Sequence, residues 1–384
     1  MPLWPFRRRR RVAVSALSPD ALLVTEDLLR RNVEDIFIVR ERGSRGHAFL
    51  FGGELLLEPP RALTLLEARL KPLGYTPFLV RDRGLTWIQA LPLGEVTSPA
   101  RPAVNVVLFL LTLLSTLMAG SLVAGSMPFV TFDPRLEPHR LLDGLPFAAT
   151  LLGILGTHEF GHYFTARAYG ASVSLPYFIP APPPLFLFGT LGAVIRMRSP
   201  ARDRNSLFDI AAAGPLAGLV VAIPALWLGL GWSRVGVVPD SGAMAFGDSL
   251  LLRAMTYLMF GRIPEGMDVF IHPVALAGWV GLFVTALNLF PVGQLDGGRI
   301  AYALFGVQHR RVSVGTVLAL LLLGAVTGSA NWFVFAGLVT FLIGFHHAPP
   351  LDDLTPLSRG RYAIGLFCLL LLVLLIPPVP IQMN

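Results

Sequence analysis

Cysteine is nearly absent: Cys368 stands alone, inside an apolar run. No disulfide can form within the chain, and no cysteine-based metal site is available. Lysine is as scarce, with Lys71 the only one, so the net charge of +7 comes from arginine. Charged residues make up 14% of the chain, against about 25% in an ordinary soluble domain. That excludes a wholly soluble protein. It also argues against nucleic acid, because the arginines do not gather on a polar surface. They occur as the run Arg7–Arg11 and in short loops beside apolar stretches, which suits anionic lipid headgroups and topology control. No apolar h-region follows the basic start within the first thirty residues, so a cleavable signal peptide is not expected.

The chain as a whole is 54% apolar, and almost all of the excess over a soluble domain lies after residue 103. Residues 1–30 read as a basic, partly disordered tail, and 31–100 as a small soluble α/β domain. Strands are expected at Asp35–Glu41 and Ala48–Leu56, separated by the turn-rich RGSRG. Leu63, Leu66, Leu70 and Leu73 have helical spacing, and that helix closes at Gly74. Two further strands should follow around the DRG turn.

Residues 101–384 read as a transmembrane domain. Apolar runs at 104–125, 146–169, 207–232, 274–290, 312–327, 332–345 and 362–376 predict about six to seven transmembrane helices. With the N-terminal region cytoplasmic, that side also gathers Arg196, Arg198, Arg202, Arg204, Arg299, Arg310, Arg311, Arg359 and Arg361. The opposite side has Arg135, Arg140, Arg234, Arg253 and Arg262. The region of about 172–200 carries four prolines between Tyr177 and Leu185, poorly suited to a helix. Irregular backbone cannot face lipid at depth, so a membrane-associated β-hairpin or re-entrant loop is expected there. The fold class is thus a polytopic α-helical membrane protein with such a hairpin, preceded by a small soluble α/β domain.

Within the second apolar run stands HEFGH, His158 to His162. On a helix, i and i+4 share a face, so both imidazoles can reach one ion. Glu159 can take a proton from water at that ion. Zinc suits two histidines plus one oxygen ligand with a fourth position open. A chance five-residue match is credible in a surface helix; three ionisable groups in an apolar span demand a function. The third ligand is expected at Asp296, in TALNLFPVGQLDGGRIAY, where Pro291, Gly293 and Gly297–Gly298 break a helix. A simple turn with Asp296 bonded to its own backbone is the plain alternative; the two-histidine site lacking a partner favours the metal. AAAGPLAG, Ala211–Gly218, reads as a small-residue face for close packing against the second span. His309, between glutamine and arginines, reads as a solvated loop residue. A metal or proton transporter would also explain buried His and Glu, but not the i, i+4 pair with a base between. An inactive scaffold of the same fold is the other rival.

HEFGH in one span with NLFPVGQLDGG in a later one resembles the site-2 protease family of intramembrane zinc metalloproteases. GTHEFGH, AGPLAG and NLFPVGQLDGGRIAY most resemble the cyanobacterial and plastid gravitropism-protein branch, which lacks a PDZ domain. The resemblance implies one catalytic zinc ion held by His158, His162 and Asp296, with Glu159 as general base. It places Asn288 near the scissile carbonyl, and it gives Phe188, Gly189, Thr190, Leu191 and Gly192 a part in positioning substrate. It implies transmembrane protein substrates. The expected location is a bacterial inner (plasma) membrane, with the N-terminal domain cytoplasmic by the arginine count.

Overall fold

The computed structural model describes residues 19–82, 84–93, 102–125, 138–183, 186–237 and 244–383. The Arg7–Arg11 run and Arg135 lie outside the described residues.

The N-terminal layer starts earlier than expected, with helix α1, Pro19–Arg31, whose Leu29 is fully buried. Strands β1 (Phe37–Arg45), β2 (Ala48–Leu55), β3 (Thr76–Asp82) and β4 (Leu85–Leu91) form one antiparallel sheet in the order β1-β2-β4-β3. The first strand runs through most of RGSRG, leaving only Gly46 and His47 as the turn between the Arg45–Ala48 pair. Gly46 has φ of +62°, which a two-residue hairpin turn requires. Helix α2, Pro59–Leu70, lays Leu63, Leu66 and Leu70 on the sheet at helical spacing. This core is closed from afar, because Leu351 and Leu354 also pack into it.

The remainder is helical: α3 (Pro102–Val123), α4 (Leu145–Ala168), α5 (Arg204–Gly231), α6 (Leu250–Phe260), α7 (Pro273–Leu289), α8 (Asp296–Phe305), α9 (His309–Thr327), α10 (Ala330–Leu338) and α11 (Arg359–Leu375). Four segments among the described residues are long and apolar enough to cross a membrane: Pro102–Val123, His139–Ala168, Arg204–Gly231 and Asp296–Thr327. That makes this a multi-pass integral membrane protein. It also corrects the expectation of six to seven spans. The runs at 274–290, 332–345 and 362–376 become helices of at most 17 residues, about 25 Å at 1.5 Å per residue, short of a hydrocarbon core of roughly 30 Å. An apolar run counted by composition does not reveal where Pro291 follows the end of α7, or where the π-helical turn Val339–Ile343 that continues α10 stops at Gly344.

The membrane-associated hairpin is corrected too. Strands β5 (Tyr177–Pro180) and β6 (Thr190–Val194) do pair antiparallel, but the register slips between Phe178 and Pro180. Two strands of four and five residues, joined across a proline-rich stretch, do not close into a defined membrane hairpin. The segment is tied to α3 instead: Asn105 Nδ2 donates to the Leu175 and Pro176 carbonyls at 3.1 and 2.8 Å.

The last strands lie at the other end of the bundle. There β7 (Arg234–Val237) pairs with β9 (Met267–Phe270), and β8 (Met244–Phe246) with β10 (Ile381–Met383).

Candidate metal centre

Three antiparallel or abutting helices build the site. In α4 the sequence GTHEFGH stays helical because its apolar neighbours pack, burying Phe147, Leu151, Ile154 and Leu155 around it. His158 and His162 fall on the face turned to α5 and are 4% and 3% exposed. That face needs small partners, and AAAGPLAG supplies them. A Cβ at Gly161 would come within 2.7 Å of the Ala213 carbonyl oxygen, so the helices touch backbone to backbone. By contrast, Gly153 and Gly156 face open space.

The third donor arrives by a chain break. Helix α7 ends at Leu289, the turn through Pro291 and Gly293 (φ +53°) reverses direction, and α8 begins at Asp296. Gly297 and Gly298 press against the backbone of Leu289 and Gly293, leaving no room for side chains. The buried Asp296 carboxylate thereby reaches the histidines across 134 residues of sequence.

The donor atoms form a tight triangle. His162 Nε2 lies 3.1 Å from His158 Nε2 and 3.1 Å from Asp296 Oδ2, and His158 Nε2 lies 3.4 Å from that oxygen. Ligands about 2.0–2.2 Å from one tetrahedral ion stand about 3.3–3.6 Å apart; one separation lies in that range and two are shorter, at 3.1 Å, so these atoms lie close to three of four corners. The chemistry fits as well. His162 Nδ1–H donates to the Ile210 carbonyl at 2.6 Å, which leaves Nε2 with a lone pair facing the other two donors. Converging lone pairs with a carboxylate among them call for a cation. His158, His162 and Asp296 are the cluster of metal-ligating type among the described residues.

Family comparison agrees with this geometry. The family model described as Peptidase family M50 matches residues 146–330, which contain all three donors. The probable zinc metalloprotease EGY1, chloroplastic, of Arabidopsis thaliana is 32% identical over 375 residues, 88% of this chain and 67% of its own length. The chain belongs to peptidase family M50. Other relatives are similar over shorter stretches. The probable zinc metalloprotease EGY2, chloroplastic, of Arabidopsis thaliana is 32% identical over 244 residues, 62% of this chain. The probable zinc metalloprotease EGY3, chloroplastic, of Oryza sativa subsp. japonica is 33% identical over 257 residues, again 62% of this chain. The chain spans less than half the length of these two relatives, 43% and 42%.

The other candidate residues separate into those near the donor triangle and those spent on packing. Glu159 is buried at 6% exposure, and its carboxylate faces the Ile195 backbone N–H just past β6. Asn288 Nδ2 lies 3.4 Å from His158 Nε2, so it borders the triangle. Phe188 instead packs among Trp279 and Phe246, and Gly189 abuts the α3 backbone at Ser115. Thr190 is buried, its hydroxyl donating to the Ile179 carbonyl at 2.9 Å. The Gly192 N–H donates to Thr190 Oγ1, whereas Leu191 is 62% exposed.

Sequence reasoning missed three features. The Ile210 carbonyl orients His162, but a backbone acceptor has no sequence signature. Arg299 Nη1 sits 3.9 Å from Asp296 Oδ1, and its i+3 spacing on α8 could have revealed it. His309 is buried, not solvated: it begins α9 and lies 3.2 Å from Ser313 Oγ.

Proposed function

We propose that this chain is an intramembrane zinc metalloendopeptidase that hydrolyses peptide bonds in or near transmembrane segments of membrane-protein substrates. The observation that carries it is the triangle of His158, His162 and Asp296 donors inside a helix bundle long enough to cross a bilayer. Zinc, when bound, supplies Lewis acidity, making water a nucleophile near neutral pH and drawing charge onto a carbonyl oxygen.

The protein's own groups do the rest. Glu159, one residue from His158 and shielded from bulk water, accepts the proton of the attacking water and later delivers it to the leaving amine. Asn288, at the edge of the triangle, donates its amide N–H to the developing oxyanion. Ile210 keeps His162 in one tautomer. Among Phe188, Gly189, Thr190, Leu191 and Gly192, the exposed Leu191 is the residue offered to substrate; the others hold the local backbone.

Depth supports hydrolysis. His162 is six residues from the end of α4, and Ile210 six from the start of α5, so the site is about 9 Å from the helix ends. Water reaches that depth more readily than the bilayer centre. The arginine distribution supports a cytoplasmic N-terminal layer, with loop arginines meeting anionic headgroups.

Metal analysis of the purified chain, coupled to cleavage of a model transmembrane segment, tests this reading. One zinc per chain and cleavage abolished by chelator are expected. Metal-dependent flux without cleavage would replace it with transport, and bound zinc with neither activity would leave a scaffold.

A further inference from the structure

The tripeptide Leu351–Asp353 touches three parts of the protein at once. On one side the Leu79 N–H of β3 donates to the Leu351 carbonyl at 2.7 Å, and the Asp353 N–H donates to the Leu79 carbonyl at 2.9 Å. On the other side the Leu351 and Asp352 N–H groups donate to the Ala201 and Arg202 carbonyls at 2.9 and 2.8 Å. The strap thus extends the exposed edge of the N-terminal sheet and joins it to the chain entering α5. Asp352 closes its own turn, accepting the Leu354 and Thr355 N–H groups. That turn fixes the strap and aims Asp353 inward. Asp353 is 7% exposed; its Oδ1 accepts from Arg204 Nε at 2.8 Å, and its Oδ2 from the Tyr302 hydroxyl at 3.0 Å.

Tyr302 is on α8, the helix that begins with Asp296. The Arg204 guanidinium also covers the end of that helix, where a Cβ at Gly306 would come within 2.9 Å of Nη2. A cation there suits the free carbonyls of a helix C-terminus. So α8 is clamped at its last turn and supplies a metal donor from its first. It needs the clamp. Ten residues make a marginal helix; the turn Phe290–Leu295 precedes it, and only the single 3₁₀ turn Gly306–Gln308 joins it to α9. A tilt of roughly 5° about the clamped end of a helix about 15 Å long would carry the Asp296 end by about 1 Å. Metal–ligand distances tolerate only about 0.2 Å.

We infer that Asp353 is a positioning residue for the metal centre, and that the N-terminal layer helps to set it. Through Tyr302 and Arg204, Asp353 fixes the tilt of α8 that brings Asp296 to His158 and His162; the strap holding it is anchored on β3. This rests on the zinc reading above.

Removing a partner from a buried ion pair can unfold a protein, so the main test is milder. Tyr302→Phe removes one hydroxyl and leaves the Arg204–Asp353 pair. As a control, Thr116→Val removes a buried hydroxyl of α3 that donates to the Thr112 carbonyl and touches neither α8 nor the strap. In the full chain, zinc affinity is measured by chelator competition, and hydrogen exchange of α8 amides is measured on zinc-free protein. Tyr302→Phe should weaken zinc about tenfold, as loss of a ligand-orienting bond does. It should also speed exchange in α8 while the sheet amides keep their rates; Thr116→Val should resemble wild type in both. Unchanged α8 exchange in Tyr302→Phe, or equal losses in Thr116→Val, would overturn the inference. Should wild type itself bind no zinc and cleave nothing, the functional reading fails, and α8 exchange still decides the tie.

Discussion

Gly214 of α5 lies flat against the imidazole of His162, so that a Cβ at 214 would overlap the ring at Nε2, the metal-facing nitrogen. The glycine is therefore part of the ligand's seat. Four residues on, Gly218 faces His158 at a distance that leaves a Cβ 3.3 Å from the ring. Gly214→Ala should displace His162 and lower zinc affinity by at least about 100-fold, whereas Gly218→Ala should cost less than about tenfold. Chelator competition on both variants checks the order. Equal effects would mean that general helix separation, not the His162 seat, is what the glycines protect.

Glu159→Gln keeps the size and the hydrogen-bonding edge of the side chain but removes the base. Cleavage should fall by at least about 10²–10⁴-fold, the usual worth of a general base, with zinc content near wild type. Turnover and metal content measured on one preparation separate the two. Substantial residual cleavage would reassign the proton transfer.

Removing the metal should cost stability as well as activity, because a ligand bound only to the native state stabilises it. With zinc at about 100 times its dissociation constant the gain is about 2.7 kcal/mol. The thermal midpoint of the detergent-solubilised protein should drop on chelation. In Asp296→Ala, which lacks the third donor, chelator should shift the midpoint much less. A chelator-insensitive wild type would argue that the triangle does not hold an ion.

His347, just beyond α10, gives an expected acid sensitivity. Its ring packs on Tyr302 at 5.0 Å between centroids, and its Nδ1 is buried without a hydrogen-bond partner. Burial, reinforced by Arg299 and His309, pushes its pKa down to about 3. The folded protein therefore holds His347 neutral, while the unfolded chain takes up a proton near the ordinary value of about 6.5. Stability from this group is present above about pH 6.5 and is lost as the pH falls toward 3. Zinc-free protein should melt lower at about pH 5 than at about pH 7, and His347→Asn should flatten that difference. An identical pH slope in the variant would assign the sensitivity to other groups.

Much of this was written in local sequence. The i, i+4 spacing of His158 and His162 needs only a helix to put both on one face. The α2 leucines obey a period of 3.6 that any reader of the chain can find. Pro291 and the Gly297–Gly298 pair announce a broken helix because their backbone chemistry is local. Apolar content announced a membrane protein but overcounted its spans, since composition does not record where a helix stops.

Tertiary structure decided what depends on partners distant in the chain. Asp296 becomes a ligand only because a glycine-lined turn folds it across 134 residues onto two histidines. Gly214 matters only because His162 is opposite. His309 is buried only because the strand of chain ahead of α11 folds over it, bringing His347 to its ring. Asp353, in a stretch with no motif, ends up tying the N-terminal sheet to the helix that carries Asp296. Periodicity and backbone chemistry act over a few residues and so are legible in sequence; burial, close approach and convergence of donors are properties of the packed chain.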